Sequence, residues 1–395
     1  MTRSSTLRRA FERQFVRLGL YFCGIALGST MCAGLSHAAV DRPPQFVAMA
    51  FDNCTELDRW NELEQFLRAA GNQIHFTFFI SGTNFLSEQA RDKYQGPRQA
   101  VGSANIDFGG SPDDVHTRVG YINRLHDAGN EIASHAVGHF YGGDTECRPG
   151  QRPGRDCGAD WTLAEWMDEF GRYKSLFSNV TSKNGIEGTG FSFSGDQIVG
   201  FRAPQLSTNL AMYQTLKSLG YSYDTSWPDG EDVDAWPMKN EQGLWLFKLA
   251  RAEIAGLVMN DHPVTNLSMD YNICVSQLRA QGGACETDLS DPEQIEKLGK
   301  QMMDTYLNYF RRNYMGNRAP LHIGHHFYGY QNGIYGKTLL KFAKAICSLP
   351  EVRCVTYREL ADFMVAQDAA TLAAYQRGDF SRDGLHEPAI DTDKQ

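Results

Sequence analysis

Two histidines four residues apart, His135 and His139, stand in the stretch EIASHAVGHF. Neutral imidazoles are good ligands for a borderline divalent metal. An Asp or Asn oxygen can complete a three-ligand set that leaves room for water and substrate. The pair Asp52-Asn53 offers such oxygens, and Asp52 beside a ligand could take a proton from a bound water. His322, His325 and His326 cluster near the other end of the chain, and one of them could give a proton to a leaving group. Arg202 could orient a carboxylate. Asp224 and Trp227 complete the set of polar and aromatic residues at comparable places. These parts suit metal-assisted hydrolysis of an acyl bond. Singly, each has an ordinary explanation. An H-x-x-x-H pair is common in loops, and an Asp-Asn pair after a strand is commonly a turn or a helix cap. Arg202 could be a structural ion pair, Asp224 could cap a turn, and the later histidines could be satisfied core imidazoles. The combination carries the reading.

Such residues act together only if the fold gathers them, and the periodicity says how. Residues 46–51 (FVAMAF) read as a buried strand. Residues 55–72 follow with Leu57, Trp60, Leu63, Phe66 and Leu67 at helical spacing. Strands are expected at 74–81, 131–135, 198–204, 221–227, 320–327 and 352–357. Helices are expected at 119–130, 162–178, 210–220, 292–314, 335–349 and 358–367. Thr162 and Glu165 stand at capping-box spacing. The stretch between 228 and 291 is less regular. Strand–helix alternation over most of the chain implies an α/β fold with a parallel sheet, open or closed. In such folds the C-terminal strand ends line one face. Asp52, His135, Arg202, Asp224 and the 322–326 histidines all fall at or near such ends.

The first 38 residues differ from the rest. Five arginines and one acid lead, an apolar-leaning run follows, and small residues surround Ala38 and Ala39. This is the layout of a cleaved export signal. Its removal leaves a remainder more acidic than the whole chain's net −9. Such a chain is a poor partner for nucleic acid or anionic lipid, and no stable membrane insertion of the mature chain is expected. Of nine cysteines, Cys23 and Cys32 leave with the signal. Six of the others form three local couples, 147/157, 274/285 and 347/354, which suit disulfides in an oxidising compartment. Cys54 is left over. The expected location is secreted or periplasmic.

Several of these stretches, in order, resemble a known family. MAFDNC, FTFFISG, AGNEIASHAVGH, GFRAPQLSTN, LGYSYDTSW, NRAPLHIGHHF and VRCVTYRELADFM are similar to successive motifs of the polysaccharide deacetylases. These are the NodB-homology proteins of carbohydrate esterase family four, and the similarity is to their chitin-deacetylase-like branch. The resemblance, over roughly 45–365, implies a distorted (β/α) barrel of seven or eight repeats as a domain over residues 39–365; composition makes 366–395 a polar tail. It implies a divalent metal, zinc by preference, held by Asn53, His135 and His139. Asp52 would be the general base, positioned by Arg202, and the backbone N–H of Gln205 would serve the oxyanion. Pro204, Gln205, Asp224 and Trp227 would face substrate. The acid would be His326, with His325 the alternative, since strand alternation admits only one of the two neighbours. Asp224 or Asp270 would tune it. The implied substrate is a polysaccharide carrying N-acetylated amino sugars. Two positions depart from the motifs. Asn53 replaces an aspartate ligand, and Gln205 replaces an aromatic residue. Asn53 favours one alternative, a glycan-binding protein that has lost metal; the intact Asp52 and histidines equally suit another, a hydrolase of O-acetyl or other amide groups.

Overall fold

A computed structural model describes residues 40–392, apart from 72, 228–230 and 280–281. The export signal expected over 1–38 lies outside the described residues. Among the described residues, twelve strands run in chain order as β1 (Gln45–Asp52), β2 (Thr77–Ile80), β3 (Glu131–Ser134), β4 (Gly200–Phe201), β5 (Tyr223–Asp224), β6 (Glu231–Asp232), β7 (Met238–Lys239), β8 (Trp245–Leu246), β9 (Ala250–Met259), β10 (His262–Leu267), β11 (Leu321–His326) and β12 (Val352–Val355). The helices are α1 (Leu57–Ala69), α2 (Pro112–Asp127), α3 (Leu163–Ser178), α4 (Val180–Asn184), α5 (Leu210–Ser218), α6 (Asp270–Arg279), α7 (Pro292–Met315), α8 (Ile334–Ile346), α9 (Tyr357–Ala366) and α10 (Ala369–Arg377).

Nine strands make one sheet in the order β11-β1-β2-β3-β4-β5-β8-β7, with β12 also paired to β1. All of its pairings are parallel except β7 with β8. One edge of β1 serves two neighbours, β12 at Gln45–Ala48 and β2 from Ala50 on. Both faces of β1 are buried. Val47, Met49 and Phe51 pack under the helices, whereas Phe46, Ala48 and Ala50 join Phe79, Tyr223, Phe247 and Tyr357 inside the curl. That explains why the strand reads as an unbroken apolar run. The α/β architecture matches the expectation, and the distorted barrel takes the form of a curled sheet. No pairing joins β7 to β11 among the described residues; β9 and β10 form a separate hairpin with β6.

The outer edge of β11 is covered by the residues that lead into α6. Met269 bridges Gly324, Gly324 N–H donates to Ser268 O at 3.0 Å, and Ser268 Oγ donates to His322 O at 2.5 Å. Covering an edge in this way satisfies its backbone groups. Disulfides join Cys147–Cys157, Cys274–Cys285 and Cys347–Cys354, as the couples implied, and Cys54 is a buried thiol. The segment expected as a polar tail from residue 366 on contains α10. Its Tyr375 is buried and stacks on Trp236 at 5.1 Å, and Phe380 joins the same core. Among the described residues, no helix is long and apolar enough to cross a membrane.

Candidate active site

Five neighbouring strands each end in one part of a single cleft. Asp52 ends β1, Ser81 follows β2, His135 follows β3, Arg202 follows β4 and His326 ends β11. Asp52, His135, His139, Gln205 and His326 line the cleft together with Leu206, Leu267, Met269 and Tyr271. The parallel register sets Asp52 of β1 directly against His326 of β11.

The Asp52 carboxylate accepts from Arg202 Nη1 at 2.8 Å, and both side chains are buried. Arg202 Nε donates to Thr225 Oγ1 at 2.7 Å, and its guanidinium lies 4.3 Å from the Phe79 ring centroid. Burial works against the Arg202 charge, but Asp52, with Tyr357 and Tyr223, more than compensates, and the Arg202 pKa is raised. A buried pair of this kind is costly to break, because removing one partner strands the other charge.

His135 and His139 face each other with ring centroids 5.0 Å apart. His135 Nδ1–H donates to Arg202 O at 2.7 Å, which leaves Nε2 with a free lone pair. A hydrogen bond at one ring nitrogen is what orients the other toward a metal. Burial pulls the pKa of His135 down to about 3. Burial, then His135 and His326, pull that of His139 well down too. Both rings are therefore neutral, as ligands must be.

Asn53 supplies the third corner. It has φ +55, a left-handed conformation that asparagine tolerates better than most residues. Its Nδ2 stands 3.3 Å from His139 Nε2, and its Oδ1 accepts from Ser81 Oγ at 3.1 Å. Among the described residues, no three His, Cys, Asp or Glu side chains make a metal site, and this corner is an amide. The donor chemistry nevertheless fits a cation. Rotating the amide by half a turn presents Oδ1 beside His139, and Ser81 can accept as readily as it donates. Two neutral imidazoles and one amide oxygen would then converge.

His326 is the histidine at the cleft. Its Nδ1–H donates to Asp270 Oδ1 at 2.8 Å, and its backbone N–H donates to Asp270 Oδ2 at 2.9 Å. Burial lowers its pKa, but the Asp270 charge and hydrogen bond outweigh burial, and the net shift is upward. Asp270 shows the reciprocal effect: burial raises its pKa, the His326 charge overcomes this, and the pKa falls. His325 points the other way. It is fully buried, bonded through Nε2 to Tyr306 Oη at 3.0 Å, and burial takes its pKa down to about 4.

The structure separates the remaining expected residues. Gln205 lines the cleft, with φ +57 and its side-chain amide 3.5 Å from His139 Nδ1. Pro204, the residue before it, is buried. Asp224 does not approach His326; it is buried and accepts from the Ser226 N–H, the Ser226 hydroxyl and Tyr213 Oη. The partner of His326 is thus Asp270. Trp227 lies under Lys248 Nζ, 4.2 Å from the ring centroid, and does not line the cleft. Glu169 was not singled out by its sequence. From α3 it accepts from Val137 N–H at 2.9 Å and Gly138 N–H at 3.3 Å, inside the histidine loop. A glutamate on the inner face of an amphipathic helix was the available signal.

The curled sheet and this cleft fit the motif order of the polysaccharide deacetylases that the sequence resembles. More narrowly, the chain is similar to chitin deacetylase 8 of Bombyx mori, at 23% identity over 261 residues. That match takes in 63% of this chain and 59% of the relative, so the chain spans under two thirds of the length of the relative it matches. No family model matches the chain. Among solved structures it is similar to a candidate polysaccharide deacetylase from Mycobacterium smegmatis, with TM-score 0.44, 15% identity, and 83% and 96% of the two chains covered. It is also similar to the Xyl-CE4 domain of a multidomain xylanase from the hindgut metagenome of Trinervitermes trinervoides, with TM-score 0.39, 13% identity, and 82% and 93% covered.

Proposed function

We propose that the protein is an exported, zinc-dependent hydrolase that removes N-acetyl groups from amino sugars in a polysaccharide. The reading is carried by one observation: a carboxylate held by Arg202 and an imidazole held by Asp270 stand on adjacent strands beside two neutral histidines. Asn53, His135 and His139 would hold the ion, which when bound supplies Lewis-acid polarisation of the acetyl carbonyl. Asp52 takes the proton of the attacking water, and Arg202 keeps that carboxylate aimed at the cleft. The backbone N–H of Gln205 donates to the developing oxyanion. His326, protonated and steadied by Asp270, delivers its proton to the sugar nitrogen as the C–N bond breaks. Acetate and the free amine are the products. Three disulfides in short loops support export. The chitin deacetylase relative and the motif resemblance support an N-acetylated glycan.

A second reading, glycan binding without hydrolysis, is favoured by the Asn53 amide nitrogen that faces His139. A third keeps hydrolysis but acts on O-acetyl or other amide groups. Metal analysis of purified protein, with acetate release from chitooligosaccharides, peptidoglycan and O-acetylated glycans, separates the three. Zinc-dependent release from an N-acetylated substrate is expected. Metal-free protein that binds glycan and releases nothing would overturn it in favour of the second reading.

A further inference from the structure

The turn between the two histidines is held largely by partners outside it. The carbonyls of Ala136, Val137 and Gly138 accept from the N–H groups of Gly82 at 2.8 Å, Thr83 at 3.2 Å and Asn105 at 2.8 Å. The amides of Val137 and Gly138 both donate to one oxygen, Glu169 Oε1. That carboxylate is fully buried, and its other contact is Tyr94 Oη, 3.1 Å from each oxygen. No ion pair to Glu169 is present among the described residues. A side chain on Gly138 would run into Tyr94 Oη at 2.5 Å, so the glycine is what lets carboxylate, tyrosine and loop meet.

The loop needs such a hold. Ala136 and His139, neither of them glycine, sit at φ +54 and +57. Left-handed conformations in ordinary residues persist only where the surroundings over-determine them. His135 is anchored at the strand end, its N–H donating to Ile80 O at 3.1 Å. The place of His139, four residues on, depends on the turn between them. Burying an unpaired carboxylate is unfavourable unless its hydrogen bonds repay it, and here those bonds go to that turn. We propose that Glu169 is the positioning residue of the histidine pair: its carboxylate fixes the turn that brings His139 opposite His135, and so sets the affinity of the pair for zinc or a similar divalent cation. This rests on reading the pair as a metal site.

The test is zinc titration by calorimetry on the purified chain, well below its thermal midpoint, with circular dichroism as the check on folding. Glu169→Gln keeps an acceptor for both amides and a donor for Tyr94, and should bind zinc within about threefold of wild type. Glu169→Ala should bind about 10- to 100-fold more weakly, the usual loss when a partner that orients a metal ligand is removed. Tyr94→Phe should lower the thermal midpoint and leave zinc affinity alone. A folded Glu169→Ala protein with wild-type affinity would overturn the proposal. If that variant does not fold, Glu169→Asp, one methylene short of the amides, carries the same expectation. Wild-type protein that binds no zinc would instead overturn the metal-site reading. Hydrogen exchange at Val137 and Gly138 would then decide the positioning claim: slow exchange in wild type and Glu169→Gln supports it, and fast exchange in wild type defeats it.

Discussion

His139 stands between two side-chain amides, and its neutral ring can serve them in one way. The Asn53 nitrogen approaches Nε2 at 3.3 Å and the Gln205 nitrogen approaches Nδ1 at 3.5 Å. A neutral imidazole has one donor and one acceptor, so two N–H donors cannot both be met. Turning Gln205 puts its oxygen on Nδ1–H and leaves the Nε2 lone pair facing Asn53. Turning Asn53 as well completes the ligand corner. The two departures from the family motifs thus flank one ring, and each can be exchanged for a group of known effect. Asn53→Asp should bind zinc on the order of tenfold more tightly, a gain of about 1.4 kcal/mol, with activity kept; equilibrium dialysis measures it. Loss of both zinc and activity would show that position 53 is not a ligand. The acid can be settled by two alanines. His326→Ala should cut kcat by about 10²–10⁴-fold with zinc content unchanged. His325→Ala should instead shift the urea midpoint, since stranding the buried Tyr306 hydroxyl costs about 1–3 kcal/mol. The reverse pattern would move the acid to His325.

At the scale of elements, His326 is governed by α6. Ser268 and Met269 cover the edge of β11, which delivers Asp270 to the imidazole, and Cys274–Cys285 ties the same helix one turn later. Asp270 holds the His326 pKa up against burial. On the proposed mechanism, kcat should fall as pH rises through that raised value and His326 loses its proton. Asp270→Asn removes the charge, so the alkaline limb of the kcat profile should move to lower pH; an unmoved limb would mean that another group sets it. Much of this was legible in sequence. The Thr162 capping box starts α3 as expected, α7 and α9 fall within a residue of their expected bounds, and α8 ends three residues early, at Ile346. The first two turns of α2, from Pro112, were missed: they are capped by Ser111 and Asp114 and carry a single buried apolar residue, Val115, amid polar ones. The strand expected over 198–204 shrinks to Gly200–Phe201, since its later residues turn away to place Arg202 and Gln205. The β9–β10 hairpin escaped notice because only Ala250–Ile254 alternate with period 2; beyond them β9 loses the pattern, and β10 is exposed or half-buried up to its last residue. Asp270 was visible only as one of two candidates: nothing in the residues around it says that they will cover the β11 edge.

The whole molecule is closed at the end of the curl away from the cleft by α9, and the fastening is a buried acid. Glu131 accepts from Tyr223 Oη at 2.8 Å, Thr77 Oγ1 at 3.0 Å and the Arg358 N–H of α9 at 2.9 Å. Thr77 Oγ1 in turn accepts from Tyr357 N–H at 3.0 Å. One carboxylate therefore joins β2, β3 and β5 to the first turn of the helix, where a negative charge is favoured. Burial still wins over these donors and lifts the Glu131 pKa to about 7. Its consequence for stability has a definite sign. The unfolded chain gives up this proton near 4.5, whereas the folded chain keeps it to about 7. Between those values the folded state binds more protons, so Glu131 withdraws stability as pH rises. At 1.36 kcal/mol per unit, the loss is on the order of 2–3 kcal/mol between pH 5 and pH 8. His322, also inside the curl, has its pKa lowered by burial to about 3 and acts in the opposite sense, withdrawing stability as pH falls through 6.5. The wild-type profile mixes these effects, but a substitution isolates one. Glu131→Gln stays neutral throughout and can keep the oxygen contacts to Thr77 and Arg358. Relative to wild type its stability should rise from pH 5 to pH 8 by about the amount that wild type loses on this group's account. Urea unfolding of both proteins at the two pH values measures the difference. A gap that stays constant with pH would show that Glu131 is already ionised in the fold at pH 5, held there by the helix and its three donors.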